Sequence, residues 1–121
     1  MVLAAAAIGA ALAIANHNRY EVDRVTIQVD RPDRQITGEV FATSTVHHFC
    51  TSGSWSVRLR LARPGKDKTV AGPTQTNFQD RYRLRPPRSV KGKRVYAEVP
   101  SYPNAGHGFC VGKRSRTVTS P

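Results

Sequence analysis

The chain has 121 residues, and its 19 lysine and arginine residues outnumber its 8 acidic residues, which gives a formal net charge of +11. This length excludes a large multidomain enzyme, and the charge excludes an acidic or balanced surface. After residue 15, valine outnumbers leucine 12 to 3. This composition favours β-sheet over a helical bundle, because β-branched side chains fit a pleated surface well.

The N-terminal segment predicts export. Residues 2–15 carry no charge and end in Ala13-Ile14-Ala15, the small-x-small pattern that signal peptidase accepts. The run is shorter than the roughly 20 apolar residues of a bilayer span. We therefore predict a helical signal peptide over residues 1–15, a single mature domain over residues 16–121, and secretion or location at the cell envelope. No cationic residue precedes the apolar run, so an uncleaved anchor and a buried helix remain alternatives.

Short runs of alternating apolar and polar residues follow in the mature segment. The clearest covers residues 55–62 (WSVRLRLA), and weaker ones cover residues 25–29, 36–42, 82–84 and 95–99. Turn-forming residues such as Arg31-Pro32-Asp33, Gly72-Pro73 and those at 100–104 separate the runs. A period of two indicates strands with one buried face. No part of the mature segment shows a sustained helical period. We predict an all-β, Ig-like or transthyretin-like sandwich of six to seven strands.

The same alternation predicts which side chains form the core between the two sheets. The predicted core residues are Trp55, Val57, Leu59, Leu61, Tyr82, Leu84, Val95, Ala97 and Val99.

Four segments carry a resemblance to a known family. They are residues 36–40 (ITGEV), 57–61 (VRLRL), 76–84 (TNFQDRYRL) and 92–99 (GKRVYAEV). Together they resemble the carboxypeptidase regulatory-like, transthyretin-like sandwich, in which an I-x-G-x-V strand precedes a V-x-L strand, a T-D-x-x-G-x-Y-x-L hairpin and a G-x-Y-x-x-x-V strand. The resemblance spans about residues 36–100. It implies a non-catalytic accessory or adhesive module of exported proteins, and it carries over no active site.

Two cysteines, Cys50 and Cys110, are the only ones in the chain. An even pair in an exported protein predicts a disulfide bond, here closing a loop of 59 residues. Both cysteines lie in an H-x-F-C sequence, so His47, Cys50, His107 and Cys110 also form a candidate zinc or copper site. We favour the disulfide and expect no cofactor, because oxidised sulfurs are not thiolate ligands.

One enzyme alternative rests on Cys110. Residues 107–114 (HGFCVGKR) look like the H-G-C-V-R core of the L,D-transpeptidases, which are exported enzymes with a cysteine nucleophile. The spacing differs, since Phe109 separates the glycine from the cysteine. A disulfide would also remove the nucleophile. We therefore expect no catalytic residues, with a cysteine-dependent envelope enzyme as the alternative.

The positive charge is unevenly distributed along the chain. Residues 16–40 hold four arginines and five acidic residues, whereas residues 41–121 hold 15 basic and three acidic residues. Arginine forks bind phosphate and carboxylate groups well. The candidate anion-binding residues are Arg58, Arg60, Arg81, Arg83, Arg85, Lys113 and Arg114.

These residues predict an exported, non-catalytic module that binds an anionic polymer or envelope component. A surface that is merely solubilised by arginine is the simpler alternative. Tyr82 alternates with Arg81 and Arg83 and so faces the core, where it offers no platform for stacking bases. We therefore expect no sequence-specific binding of nucleic acid.

Overall fold

The computed structural model describes residues 18–104 and 108–121, which form an all-β, sandwich-like fold with one short α-helix. The predicted fold class is confirmed. The predicted signal peptide over residues 1–15 lies outside the described residues. In the described part of the chain, no helix is long and apolar enough to cross a membrane.

The chain folds into short strands. The strands are β1 (Arg19–Glu21), β2 (Arg24–Val25), β3 (Gln28–Asp30), β4 (Gln35–Phe41), β5 (Ser56–Leu61), β6 (Lys68–Gln75), β7 (Arg81–Leu84), β8 (Arg94–Val99), β9 (Tyr102–Asn104), β10 (Gly108–Val111), β11 (Lys113–Arg114) and β12 (Val118–Thr119). The helix α1 spans Ser44–Cys50, and a 3-10 turn spans Arg88–Val90. The described residues thus contain twelve strands rather than six or seven, because several have only two or three residues and leave no readable alternation.

Three sheets are present among the described residues. The largest has the order β11-β8-β5-β6, with β12 also paired to β8. In the second, β4 pairs with β2, β3 and β7. The third is small and has the order β1-β10-β9, with β1 and β10 parallel. The two larger sheets pack against each other: Leu84 of β7 lies against Gly72 of β6.

One hydrophobic cluster lies between the sheets. Eight of the nine predicted core residues are buried, and the ninth, Leu61, is half-buried at the end of β5. The predicted register of β5 is therefore confirmed. The N-terminal strands and α1 add further buried side chains, which are Val22, Val25, Ile27, Ile36, Val40, Val46 and Cys50.

The described residues include one short α-helix, although the sequence shows no sustained helical period there. Helix α1 is capped by Thr43, whose side chain accepts a hydrogen bond from the backbone N–H of Val46 at 3.2 Å. Val46 and Cys50, four residues apart, are its buried residues. A helix of seven residues shows only this one repeat, which is too little for a helical period to stand out in the sequence.

The prediction that Gly72-Pro73 ends a strand is also wrong. Strand β6 continues through both residues, and its pairing with β5 shifts register on either side of Leu59. Strand β6 stands at the end of its sheet, where a residue without a backbone N–H removes no hydrogen bond from the interior. Residues 102–104, predicted as part of a turn, likewise form β9.

Candidate anion-binding surface

Strand β7 and the residue after it display a row of three arginines. Arg81, Arg83 and Arg85 are exposed, whereas the intervening Tyr82 and Leu84 are buried. Alternate residues of a strand lie about 7 Å apart on one face. The predicted arginine row, hereafter the β7 row, is therefore formed, and its side chains project into solvent.

Carboxylate groups of the described residues neutralise little of the positive charge of the β7 row. Its only ion pair among the described residues joins Nε of Arg81 to Oε1 of Glu39 at 3.8 Å. A polar depression of about 770 Å³ lies beside the row and is lined by Arg81, Arg83 and Asn77, among others. Two of the three guanidinium groups thus remain available to an external anion.

The row also lies at a sheet edge. Among the described strands, β7 pairs with β4 alone. Charged side chains on an edge strand oppose its pairing with a strand of another chain. The site is therefore suited to contacts through side chains rather than through added strands.

Arg58 and Arg60 differ from this row, although they too lie on the outer face of their strand, opposite the buried Val57 and Leu59. Their side chains are only 34% and 20% exposed, and both approach Glu98. Nη2 of Arg58 lies 2.6 Å from Oε1 of Glu98, and Nε of Arg60 lies 3.7 Å from the same oxygen. Arg60 also donates to Oγ1 of Thr69 at 2.9 Å. These two guanidinium groups therefore already have partners within the protein.

Glu98 reaches them because of the strand register. It stands directly opposite Arg58 across the β5–β8 pair, although the two residues are 40 positions apart in sequence. On β8, Arg94, Tyr96 and Glu98 alternate with the core residues Val95 and Ala97, and Tyr96 is itself buried outside the core cluster. Sequence analysis missed Glu98 as a partner, although this alternation was the signal that placed it on the outer face.

The seven candidate anion-binding residues do not form one surface. The row on β5 and the β7 row belong to the two sheets that pack together, and both rows project away from the core. They therefore lie on opposite sides of the sandwich. Arg114 of β11 lies on the Arg58 side, with its guanidinium carbon 5.1 Å from the ring centre of Tyr96. Lys113 places its Nζ 4.0 Å from Oε1 of Glu21.

A second carboxylate balances charge on the Arg58 side. The hydroxyl of Tyr96 donates to Oδ2 of Asp67 at 2.5 Å. This hydrogen bond is the main reason that the pKa of Asp67 lies below its ordinary value, and the positive charges of Arg60 and Arg114 act in the same direction. Arg58, Arg60 and Arg114 therefore lie near two carboxylates, those of Glu98 and Asp67.

We expect the two arginine sets to differ in their effect on stability. Replacing Arg58 with alanine removes a charged hydrogen bond to half-buried Glu98 and should cost about 1–2 kcal/mol of unfolding free energy. The matched variant Arg83→Ala, on the β7 row, should change it by less than about 0.5 kcal/mol. Urea denaturation measures both. Equal losses in the two variants would contradict this assignment of roles.

Cys50 and Cys110 form the predicted disulfide bond. Their Sγ atoms are 2.04 Å apart and their Cα atoms 5.8 Å apart, which joins the end of α1 to β10. Neither sulfur is a thiolate, so the proposed metal site loses two of its four ligands and the transpeptidase alternative loses its nucleophile. Within the described residues, no group of three metal-binding side chains occurs.

Of the two histidines that begin the H-x-F-C sequences, His47 is the one whose contacts the structure describes. Nε2 of His47 lies 3.5 Å from Oδ1 of Asp80, and its ring meets the edge of Trp55. His107 lies outside the described residues. His47 therefore contacts the turn before β7 and the core residue Trp55.

No protein-family model matches this sequence, and no curated protein or solved structure is significantly similar to it. The resemblance to the carboxypeptidase regulatory-like module thus remains a prediction that depends on its motifs. Two of those motifs, residues 36–40 and 76–84, pair through β4 and β7, with Ile36 opposite Leu84 and Gly38 opposite Tyr82.

Proposed function

We propose that this domain is an exported, non-catalytic interaction module that binds an anionic polymer through the β7 row. The observation that carries the proposal is the exposure of Arg81, Arg83 and Arg85, which within the described residues form one ion pair, 3.8 Å from Arg81 to Glu39. Export is supported by the N-terminal apolar segment and by the disulfide bond, since disulfides persist in oxidising compartments.

Repeating anionic groups suit this geometry. The arginines recur at about 7 Å, and each guanidinium can donate two parallel hydrogen bonds to a phosphate, sulfate or carboxylate group. The excess of positive charge after residue 40 adds long-range attraction, and counterion release makes such binding sensitive to salt. Tyr82 is buried beneath the row, so no ring of this strand is available for base stacking. The proposed binding is therefore electrostatic and indifferent to polymer sequence.

The test is salt-gradient elution from immobilised heparin and from a polyphosphate matrix. The double variant Arg83→Glu/Arg85→Glu should elute at lower salt than the parent, with the slope of log affinity against log salt reduced by about 2. Its matched control is Arg19→Glu/Lys66→Glu, which changes the net charge equally at two exposed positions away from β7. The control should retain most of the parent's affinity.

Two results would reject the proposal. Elution of the β7 variant together with its matched control would show that only net charge matters. Weak binding of the parent to both matrices at physiological salt would leave the row as a solubilising surface. Thermal unfolding of each variant checks that the fold is intact, which we expect because the replaced side chains are exposed.

A further inference from the structure

A second concave surface lies beside the disulfide bond, and Gln75 lines both this surface and the depression beside the β7 row. This second surface is a groove of about 440 Å³ between the end of α1, the start of β5, the end of β6 and the segment around β9. Its lining includes Ser54, Trp55, Ser56, Gln75, Tyr102 and Asn104. Its volume falls within the range of about 300–1,000 Å³ that is usual for small-molecule sites.

The groove differs from the rest of the surface in its lack of charge. Among the residues that the structure describes, none of those lining it has a charged side chain, although the chain has 19 basic residues. A charged ligand would lose its hydration there and gain no opposite charge in return. The lining is therefore suited to an uncharged ligand.

The polar groups of the groove are already organised by hydrogen bonds. Oγ of Ser54 donates to Oε1 of Gln75 at 2.8 Å, and Nε2 of Gln75 donates to Oγ of Ser56 at 3.3 Å. Each hydroxyl keeps acceptor lone pairs, and the amide nitrogen keeps a second N–H. This side-chain network therefore offers both donors and acceptors, which is what a ligand rich in hydroxyl groups requires.

Aromatic rings provide the apolar part of the groove. Tyr102 is 38% exposed, and within the described residues Phe78 is the other large hydrophobic residue with an exposed side chain. Trp55 is buried, and its Nε1–H has no hydrogen-bond partner among the described residues. Asn104 donates to the backbone carbonyl of Phe49, which leaves its own side-chain oxygen as an acceptor.

From these features we infer that the groove binds an uncharged, hydroxyl-rich ligand, namely the pyranose units of a neutral saccharide. A pyranose ring has an apolar C–H face, which suits the ring of Tyr102, and a rim of hydroxyl groups, which suits the network of Ser54, Gln75 and Ser56. A proline-rich peptide would also contact aromatic rings. The saccharide fits better because the polar groups lining the groove are hydroxyls and amides, which match a ligand with many hydroxyl groups.

The chain contains its own reporter for this site, because Trp55 is its only tryptophan. Intrinsic fluorescence titrations with cellohexaose, chitohexaose and maltohexaose, and with a proline decamer, therefore read the groove directly. We expect at least one neutral saccharide to change the emission of Trp55 in a saturable manner. Isothermal titration calorimetry provides the dissociation constant independently.

Two variants test the assigned contacts. Tyr102→Ala and Gln75→Ala should each weaken saccharide binding by about tenfold. The matched control is Phe78→Ala, which removes another exposed aromatic ring, 91% exposed, that does not line the groove. It should bind like the parent, and so should Arg83→Glu/Arg85→Glu, because neither arginine lines the groove.

The inference is overturned if none of the three saccharides binds the parent, if both groove variants bind like the control, or if only the proline decamer binds. Its failure does not affect the anion-binding proposal, whose readout is salt-dependent elution. Both groove residues are at least partly exposed, and thermal unfolding verifies that each variant is folded.

Discussion

We expect replacement of both Cys50 and Cys110 with alanine to lower the free energy of unfolding by about 4 kcal/mol, because the bond closes a long loop in the unfolded chain. The two residues are 60 positions apart, and the bond attaches α1 to the small sheet of β1, β10 and β9. For a domain of this size, the melting temperature should fall by roughly 15–30 °C. Thermal unfolding followed by near-ultraviolet circular dichroism measures the change.

Reductant supplies the control for this prediction. Dithiothreitol should lower the melting temperature of the parent toward that of the double variant, and it should leave the variant unchanged, since the chain has no other cysteines. A double variant that melts within a few degrees of the parent would contradict the prediction. It would mean that the contact between the rings of Tyr20 and Phe49, with centroids 5.0 Å apart, suffices to hold α1 against the small sheet.

The second large effect concerns Gly38 in the centre of β4. A Cβ atom at this position would lie 2.1 Å from the backbone oxygen of Thr26 and 2.6 Å from the ring of Tyr82. The hydroxyl of Tyr82 donates to the same Thr26 oxygen at 2.8 Å, so ring and backbone are held in place. We expect Gly38→Ala to cost about 3 kcal/mol or more, at the upper end of the usual penalty for overpacking, because backbone cannot move aside as a side chain does.

Two further variants make this prediction specific. Thr37→Ala, at the neighbouring position on the outer face of β4, should change stability by less than about 1 kcal/mol. Tyr82→Phe removes one hydrogen bond and should cost about 1 kcal/mol, and combining it with Gly38→Ala should not restore stability, because the clash with Thr26 remains. Rescue by Tyr82→Phe would show that the tyrosine hydroxyl, and not the backbone, excludes a side chain at Gly38.

Local alternation was the most informative part of the sequence. In β5, β7 and β8 it placed Val57, Tyr82 and Val95 in the core and Arg83 in solvent, and the structure agrees. The reason is geometric: successive side chains of a strand point to opposite faces, so the apolar half of the pattern faces the core. The cysteine pair was predictable for a chemical reason, because two cysteines in an oxidising compartment have one way to pair.

Contacts between side chains of neighbouring strands could not be predicted from local alternation. Arg58 and Arg83 look alike in sequence, since each alternates with buried residues, yet one contacts Glu98 and the other is exposed. The difference depends on the β5–β8 register, which joins residues 40 positions apart. Helix α1 escaped notice because it is too short to show a helical period, and the turn residues Gly72-Pro73 are accommodated within an edge strand.

The sequence by itself thus determined the all-β class, the core residues of β5, β7 and β8, the disulfide and the excess of positive charge, because each follows from composition or from the neighbours of a residue along the chain. Only the tertiary structure decided which arginines remain open to a ligand and that the arginines of β5 and the β7 row lie on opposite sides of the sandwich. The uncharged groove likewise depends on the tertiary structure, because its lining comes from segments around residues 50, 75 and 100. Such features depend on which strands become neighbours, and this is decided by the packing of the whole core rather than by any local pattern.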